Sequence, residues 1–128
     1  MSQIEIEDIF DHLGEARLQR LIAAFYRRVK TDDILKPMYP ADDLAGAEYR
    51  LKEFLAYRLG GPQRYIEERG NPALRMRHAP FAINQSARDR WMELMVRAMN
   101  ETELAPEIRQ TLEPFFDQMA TFLINRAE

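Results

Sequence analysis

The stretch Arg75-Met76-Arg77-His78-Ala79-Pro80-Phe81 sets one histidine among arginines, two residues ahead of a proline and between two apolar helical patterns. Pro72 can open a helix at about Ala73, and Pro80 disfavours helical geometry at Ala79. His78 therefore falls near the end of two helical turns at most. From there its ring N–H can reach the carbonyl of Leu74 one turn back, which fixes the ring and leaves the other nitrogen for a metal. Neutral imidazole is the commonest protein metal ligand. With two histidines and no cysteine in 128 residues, His78 is the best single candidate for such a ligand. A lone histidine is nevertheless more often a hydrogen-bonded or solvated side chain, so this segment needs support from the rest of the chain.

Working outward, the patterns are helical on both sides. A first short helix is expected over Ile4 to His12, stopping near Gly14, and a second from about Glu15 to Lys30 with Leu18, Ile22, Phe25, Tyr26 and Val29 at helical spacing. Ile34-Leu35 reads as a brief turn before Pro37-Met38-Tyr39-Pro40. Asp42 or Asp43 can cap a third helix whose inner face carries Leu44, Ala47, Leu51, Phe54 or Leu55, and Leu59, with Gly60-Gly61-Pro62 as its stop. Gln63 to Ala73 reads as a loop with weak helical character at Tyr65 to Glu68. After Phe81, Ser86 with Asp89 makes a capping-box-like start to a helix carrying Trp91, Leu94, Met95, Ala98 and Met99. Pro106 opens a last long helix with Ile108, Leu112, Phe115, Phe116, Met119, Phe122 and Leu123 inward and Pro114 inside it. No segment reads as a strand of convincing length, and the fold class is all-α.

Composition bounds the function. At 46% hydrophobic and 30% charged residues the chain suits a soluble globular protein, expected as one domain over residues 1–128 that buries a core without disulfides. Zero cysteine excludes a disulfide scaffold, thiolate ligation of haem, a cysteine-held iron–sulfur cluster and a cysteine nucleophile. A net charge of -3 argues against nonspecific nucleic-acid binding. No apolar run approaches the roughly 18 residues of a membrane span. The acidic N-terminus lacks a signal-peptide layout, so a cytoplasmic location is the expectation.

Phe25-Tyr26, Tyr39-Pro40, Phe54-Leu55 with Leu59-Gly60-Gly61-Pro62, Arg75 to Phe81, and Trp91 together resemble the truncated haemoglobins, specifically the second group. The resemblance runs from about Asp8 to Arg126 and is most specific in Arg77-His78-Ala79-Pro80-Phe81 with Trp91. It implies a two-over-two helical sandwich around haem b, with a very short first helix and a proximal helix of about one turn. It makes His78 the proximal iron ligand, Tyr26 the distal tyrosine, Tyr39 an aromatic placed after the second helix, and Trp91 the distal-side tryptophan. Ala47 takes the position at which vertebrate globins carry a distal histidine, with Leu51 one turn later on the same face and Phe54 further along it. Arg77, and beside it Arg75, match basic residues that approach the haem propionates, and Tyr65 belongs to a segment lining that edge. The chain departs from the family in having the lone Gly14 where a glycine pair is usual, and Asn71 where a histidine often precedes Pro72.

The resemblance implies reversible binding of oxygen and related ligands (nitric oxide, carbon monoxide or peroxide). Oxygen gains electron density when haem takes it up, so donors aimed at it strengthen binding and slow escape. Tyr26, Tyr39 and Trp91 can supply two hydroxyls and one indole N–H; the bland alternative for each is core filling with a polar atom at the rim. Arg75 and Arg77 likewise have a bland reading as a solvated face. Nitric oxide or peroxide chemistry needs electrons, and the chain carries no flavin or nicotinamide motif, so a separate reductase is expected. The protein is expected as a monomer or homodimer without nucleic-acid or membrane partners. The competing reading is a haem-free helical interaction module in which His78 and the aromatics are structural.

Overall fold

The computed structural model describes residues 3–127. A 3-10 turn at Ile6–Asp8 leads into α1 (Ile9–Leu13), followed by α2 (Glu15–Val29), a 3-10 turn at Lys36–Met38, α3 (Leu44–Arg58) and α4 (Arg64–Arg69). Then come α5 (Leu74–His78), α6 (Gln85–Glu101) and α7 (Pro106–Phe122), with no strand among the described residues. Two helix pairs, α2 with α3 and α6 with α7, are joined through the contact of α2 with α6, while α1 closes against α7. No helix among the described residues is long and apolar enough to cross a membrane.

The core follows from the apolar stripes. On α2 the residues Leu18, Leu21, Ile22, Phe25 and Val29 are fully buried, and Met95, Met99, Leu112 and Phe116 meet them from α6 and α7. The Trp91 ring bridges the two layers, 5.1 Å from Phe25 and 5.7 Å from Phe116 between centroids. Gly60 is required where α1 crosses the end of α3. Its φ is +91°, and a Cβ there would lie 1.8 Å from the Glu7 carbonyl oxygen. The same crossing lets the Phe10 amide donate to the Leu59 carbonyl over 2.9 Å.

Several local expectations differ from the structure. The first helical segment is a 3-10 turn followed by the five-residue α1, because Gly14 at φ +83° ends it. Residues Arg64–Arg69 form a helix rather than a loop, held to α3 by the stacking of Tyr65 on Phe54 at 5.5 Å and by Arg64 on Glu53. The cap of α6 is Asn84, whose Oδ1 accepts from the Ala87 amide at 2.9 Å, and not the Ser86 box. Asp43 caps α3 through the Gly46 amide. Phe122 points out, 53% exposed, with the Arg75 guanidinium over its ring.

Candidate functional site

The helix bearing His78 is a single turn, and the reasons are local. Ala73 precedes it in a left-handed conformation at φ 40°, its amide held by Asn71 Oδ1, and Pro80 denies the chain a further helical amide. Within that turn His78 Nδ1 donates to the Leu74 carbonyl oxygen over 2.7 Å. A carbonyl oxygen only accepts, so Nδ1 carries a proton, and in the neutral ring this leaves the lone pair on Nε2. The ring is half-buried and lines a cavity of about 460 Å³.

That cavity is enclosed by every long helix. It is walled by Leu51 and Phe54 of α3, Tyr65 of α4, Leu74 of α5, Ile83, and Met119 with Leu123 at the end of α7. Tyr26, Tyr39, Ala47 and Trp91 form a second, polar-aromatic side of it. The Tyr26 and Tyr39 rings meet edge-on at 5.5 Å, and Tyr26 meets Phe25 edge-on at 5.3 Å. The Tyr26 hydroxyl donates to the Ala47 carbonyl at 3.3 Å. Burial lifts the Tyr26 phenol well above its ordinary range, and the neighbouring Tyr39 adds to the rise. Burial also pushes the Tyr39 phenol up to about 12, against hydrogen bonding with Trp91 and Tyr26. Both hydroxyls are therefore neutral hydrogen-bonding groups at ordinary pH.

Four arginines reach the rim: Arg50, Arg69, Arg77 and Arg88. Arg77 staples the turn between α4 and α5, giving Nε to the Pro72 carbonyl at 2.8 Å and Nη2 to those of Arg69 and Asn71 at 3.1 and 3.3 Å. Its Nη1 takes part in none of these bonds. Arg69 stacks over Tyr65 at 5.9 Å.

The residues singled out in the sequence thus gather around one cavity: His78, Arg77, Tyr65, Phe54, Leu51, Tyr26, Tyr39, Trp91 and Ala47. Arg75 does not join them. Its guanidinium lies 5.3 Å over the exposed Phe122 ring, outside the lining. Sequence reasoning missed Arg50, Arg69 and Arg88, whose only signal was helical spacing from residues already on the inner face. Among the described residues no three His, Cys, Asp or Glu side chains gather as a metal cluster, so the donor chemistry here is one imidazole in an apolar slot with cations at its edge.

The geometry has close counterparts. Residues 8–125 match the family described as Bacterial-like globin. The group 2 truncated haemoglobin YjbI of Bacillus subtilis is 39% identical over 119 residues, spanning 93% of this chain and 89% of that protein. The solved structure of the truncated oxygen-avid haemoglobin from Bacillus subtilis superposes with a TM-score of 0.88 at 38% identity, covering 92% of this chain and 99% of that one. The group II truncated haemoglobin from Bacillus anthracis gives a TM-score of 0.90 at 34% identity, covering 94% and 98%.

Proposed function

The chain belongs to the bacterial-like globins, as a group II truncated haemoglobin and so a haem globin that binds oxygen, and we propose that His78 holds the iron of haem b in the cavity. The single observation that carries this assignment is the His78–Leu74 hydrogen bond, which fixes the tautomer and leaves Nε2 as the donor. The cavity fits the group in kind: its volume lies within the range of cofactor pockets, its walls are apolar, and its rim is basic. Haem, when bound, supplies an iron centre that takes up diatomic ligands and can change oxidation state. Leu51, Phe54, Leu74 and Met119 give it an apolar seat that excludes water. Arg77, through the Nη1 left over from its backbone staples, and Arg69 supply cations for the propionates.

The distal donors divide their work. Tyr26 spends its hydroxyl hydrogen on the Ala47 carbonyl, so it orients Tyr39 rather than reaching the ligand. The Tyr39 hydroxyl hydrogen is then the donor available to a diatomic ligand, and its neutrality at ordinary pH keeps it one. The Trp91 indole N–H, which hydrogen-bonds Tyr39, holds that hydroxyl in place and can turn to the ligand itself. Donors held in this way slow ligand escape, which suits detoxification or sensing better than bulk transport. The chemistry we favour is oxidation of nitric oxide, in which one oxygen molecule, one nitric oxide and one electron give nitrate. Reduction of peroxide with two electrons is the second possibility, and in both a separate reductase supplies the electrons.

The test is an absorption spectrum of the haem-reconstituted protein in ferric, ferrous and oxygenated forms, beside His78→Gly. A Soret band with a stable oxygenated form in the wild type, and altered ferrous ligation in the variant, is the expected result. No haem uptake would return the chain to a helical interaction module, and identical spectra in the two proteins would overturn the assignment of His78 as the ligand. Nitrate formation from nitric oxide in the presence of a chemical reductant tests the reaction itself.

A further inference from the structure

The loop that follows His78 packs lightly: Ala79, Pro80, Phe81 and Ala82 are all exposed, and only the Phe81 ring, edge-on to His78 at 6.5 Å, reaches the cavity. That little packing is supplemented by hydrogen bonds from the far side of the molecule. Asn125, just beyond α7 and 47 positions from His78, turns its side chain back onto the loop. One Nδ2 hydrogen goes to the His78 carbonyl at 3.2 Å and the other to the Phe81 carbonyl at 2.9 Å. Its Oδ1 accepts from the Ile83 amide at 2.9 Å, and its own amide donates to the Ile83 carbonyl at 2.9 Å. The His78 carbonyl also accepts from the Phe81 amide at 3.0 Å, so both of its lone pairs are used.

We propose that Asn125 is a positioning residue for His78, a latch from the far end of the chain that fixes the backbone of the iron ligand. The inference rests on His78 being that ligand. His78 is held at two points, its ring by Leu74 and its carbonyl by Asn125. The first sets the rotation of the imidazole, and the second sets where the turn carrying it stands relative to α6 and α7. Only an amide does this work. A carboxylate of the same shape keeps the bond from Ile83 but turns lone pairs toward two carbonyl oxygens.

The experiment measures the iron–histidine stretching band of the ferrous protein by resonance Raman, and the rate of haem transfer to excess apoglobin, in wild type, Asn125→Asp and Asn125→Ser. Thr102→Val, which removes the remote bond from Thr102 Oγ1 to the Ala98 carbonyl, serves as a stability control. Asn125→Asp is expected to shift or broaden the band and to speed haem loss about tenfold. Asn125→Ser, too short for both carbonyls and uncharged, is expected to do the same, and it is read alone should Asn125→Asp fail to fold. Thr102→Val is expected to lower the melting temperature and leave the band in place. An unchanged band and rate in the Asn125 variants, or changes no larger than in Thr102→Val, would overturn the latch. Absence of an iron–histidine band in the wild type would instead overturn the assignment of His78, and the latch with it.

Discussion

Arg90 donates to Asp32 Oδ1 over 2.8 Å, tying the helix that carries Trp91 to the turn that leads to Tyr39. The second oxygen, Oδ2, accepts the amides of Ile34 and Leu35 at 3.1 and 2.9 Å. One nearly buried carboxylate thus fixes the spacing between two cavity-lining aromatics. Asp32→Ala is expected to cost about 2 kcal/mol of stability, since it strands two amides and a guanidinium together. Ligand release should quicken in the same variant because Tyr39 loses its anchor. Urea unfolding and stopped-flow oxygen release measure the two effects; a change in stability with unaltered release would show that the pair serves the fold alone.

Trp91→Phe and Tyr39→Phe are each expected to speed oxygen release by about tenfold, the worth of one hydrogen bond to a partly charged acceptor. Tyr26→Phe should have the smaller effect, because its hydroxyl is committed to the Ala47 carbonyl. Equal acceleration in all three would place Tyr26 on the ligand directly.

Glu53 is 2% exposed and is held by Arg64 Nε at 2.7 Å and Lys52 at 3.2 Å, with Glu15 joining on the surface through the same two cations. Arg64→Ala leaves a buried carboxylate short of its main partner. The melting temperature should fall by several degrees, and Glu53→Leu added to it should recover much of the loss. Tyr65 follows Arg64 on α4, so slower haem uptake is expected in the single variant and not in the double.

Alkaline pH should weaken the folded state through the distal tyrosines. The unfolded chain loses phenol protons near the ordinary value of 10.0, whereas the folded chain keeps that of Tyr39 to about 12 and that of Tyr26 beyond its ordinary range. The folded form then binds more protons than the unfolded one, so stability falls as pH rises across that interval. Phenolate absorbance should show Tyr26 and Tyr39 ionising with unfolding and not before it, and Tyr39→Phe should flatten the decline.

Periodicity made the long helices legible: α2 ends within a residue of its expected limit, and α7 starts at the proline that announces it. The bond from the His78 ring to Leu74 was also legible, because it lies within one turn and Pro80 sets the end of that turn. The α4 helix was only half legible, as weak helical character at Tyr65 to Glu68, since its six residues depend on Phe54 and Glu53 from another helix. Glu53 itself reads as a surface charge until Arg64 covers it. Asn125 gave no signal either; its partners are far away in sequence and are backbone atoms, which carry no side-chain pattern. Arg75 and Arg77 sit two apart on one turn and so point to different sides, one lining the cavity and the other covering Phe122.

The α5 turn contributes no buried residue, begins after a left-handed alanine and ends against a proline. The fully buried side chains belong to α1, α2, α3, α6 and α7 and to Leu59. Cooperative unfolding is therefore governed by a scaffold to which the turn bearing His78 is only tethered, and that turn is expected to open at a free energy below the global value. Amides of residues 74–83 in the cofactor-free chain should exchange with solvent far sooner than those of Phe25 or Phe116, and haem should protect them selectively. An order of assembly is then expected, in which the scaffold forms first and the short turn bearing His78 settles last, as cofactor is taken up.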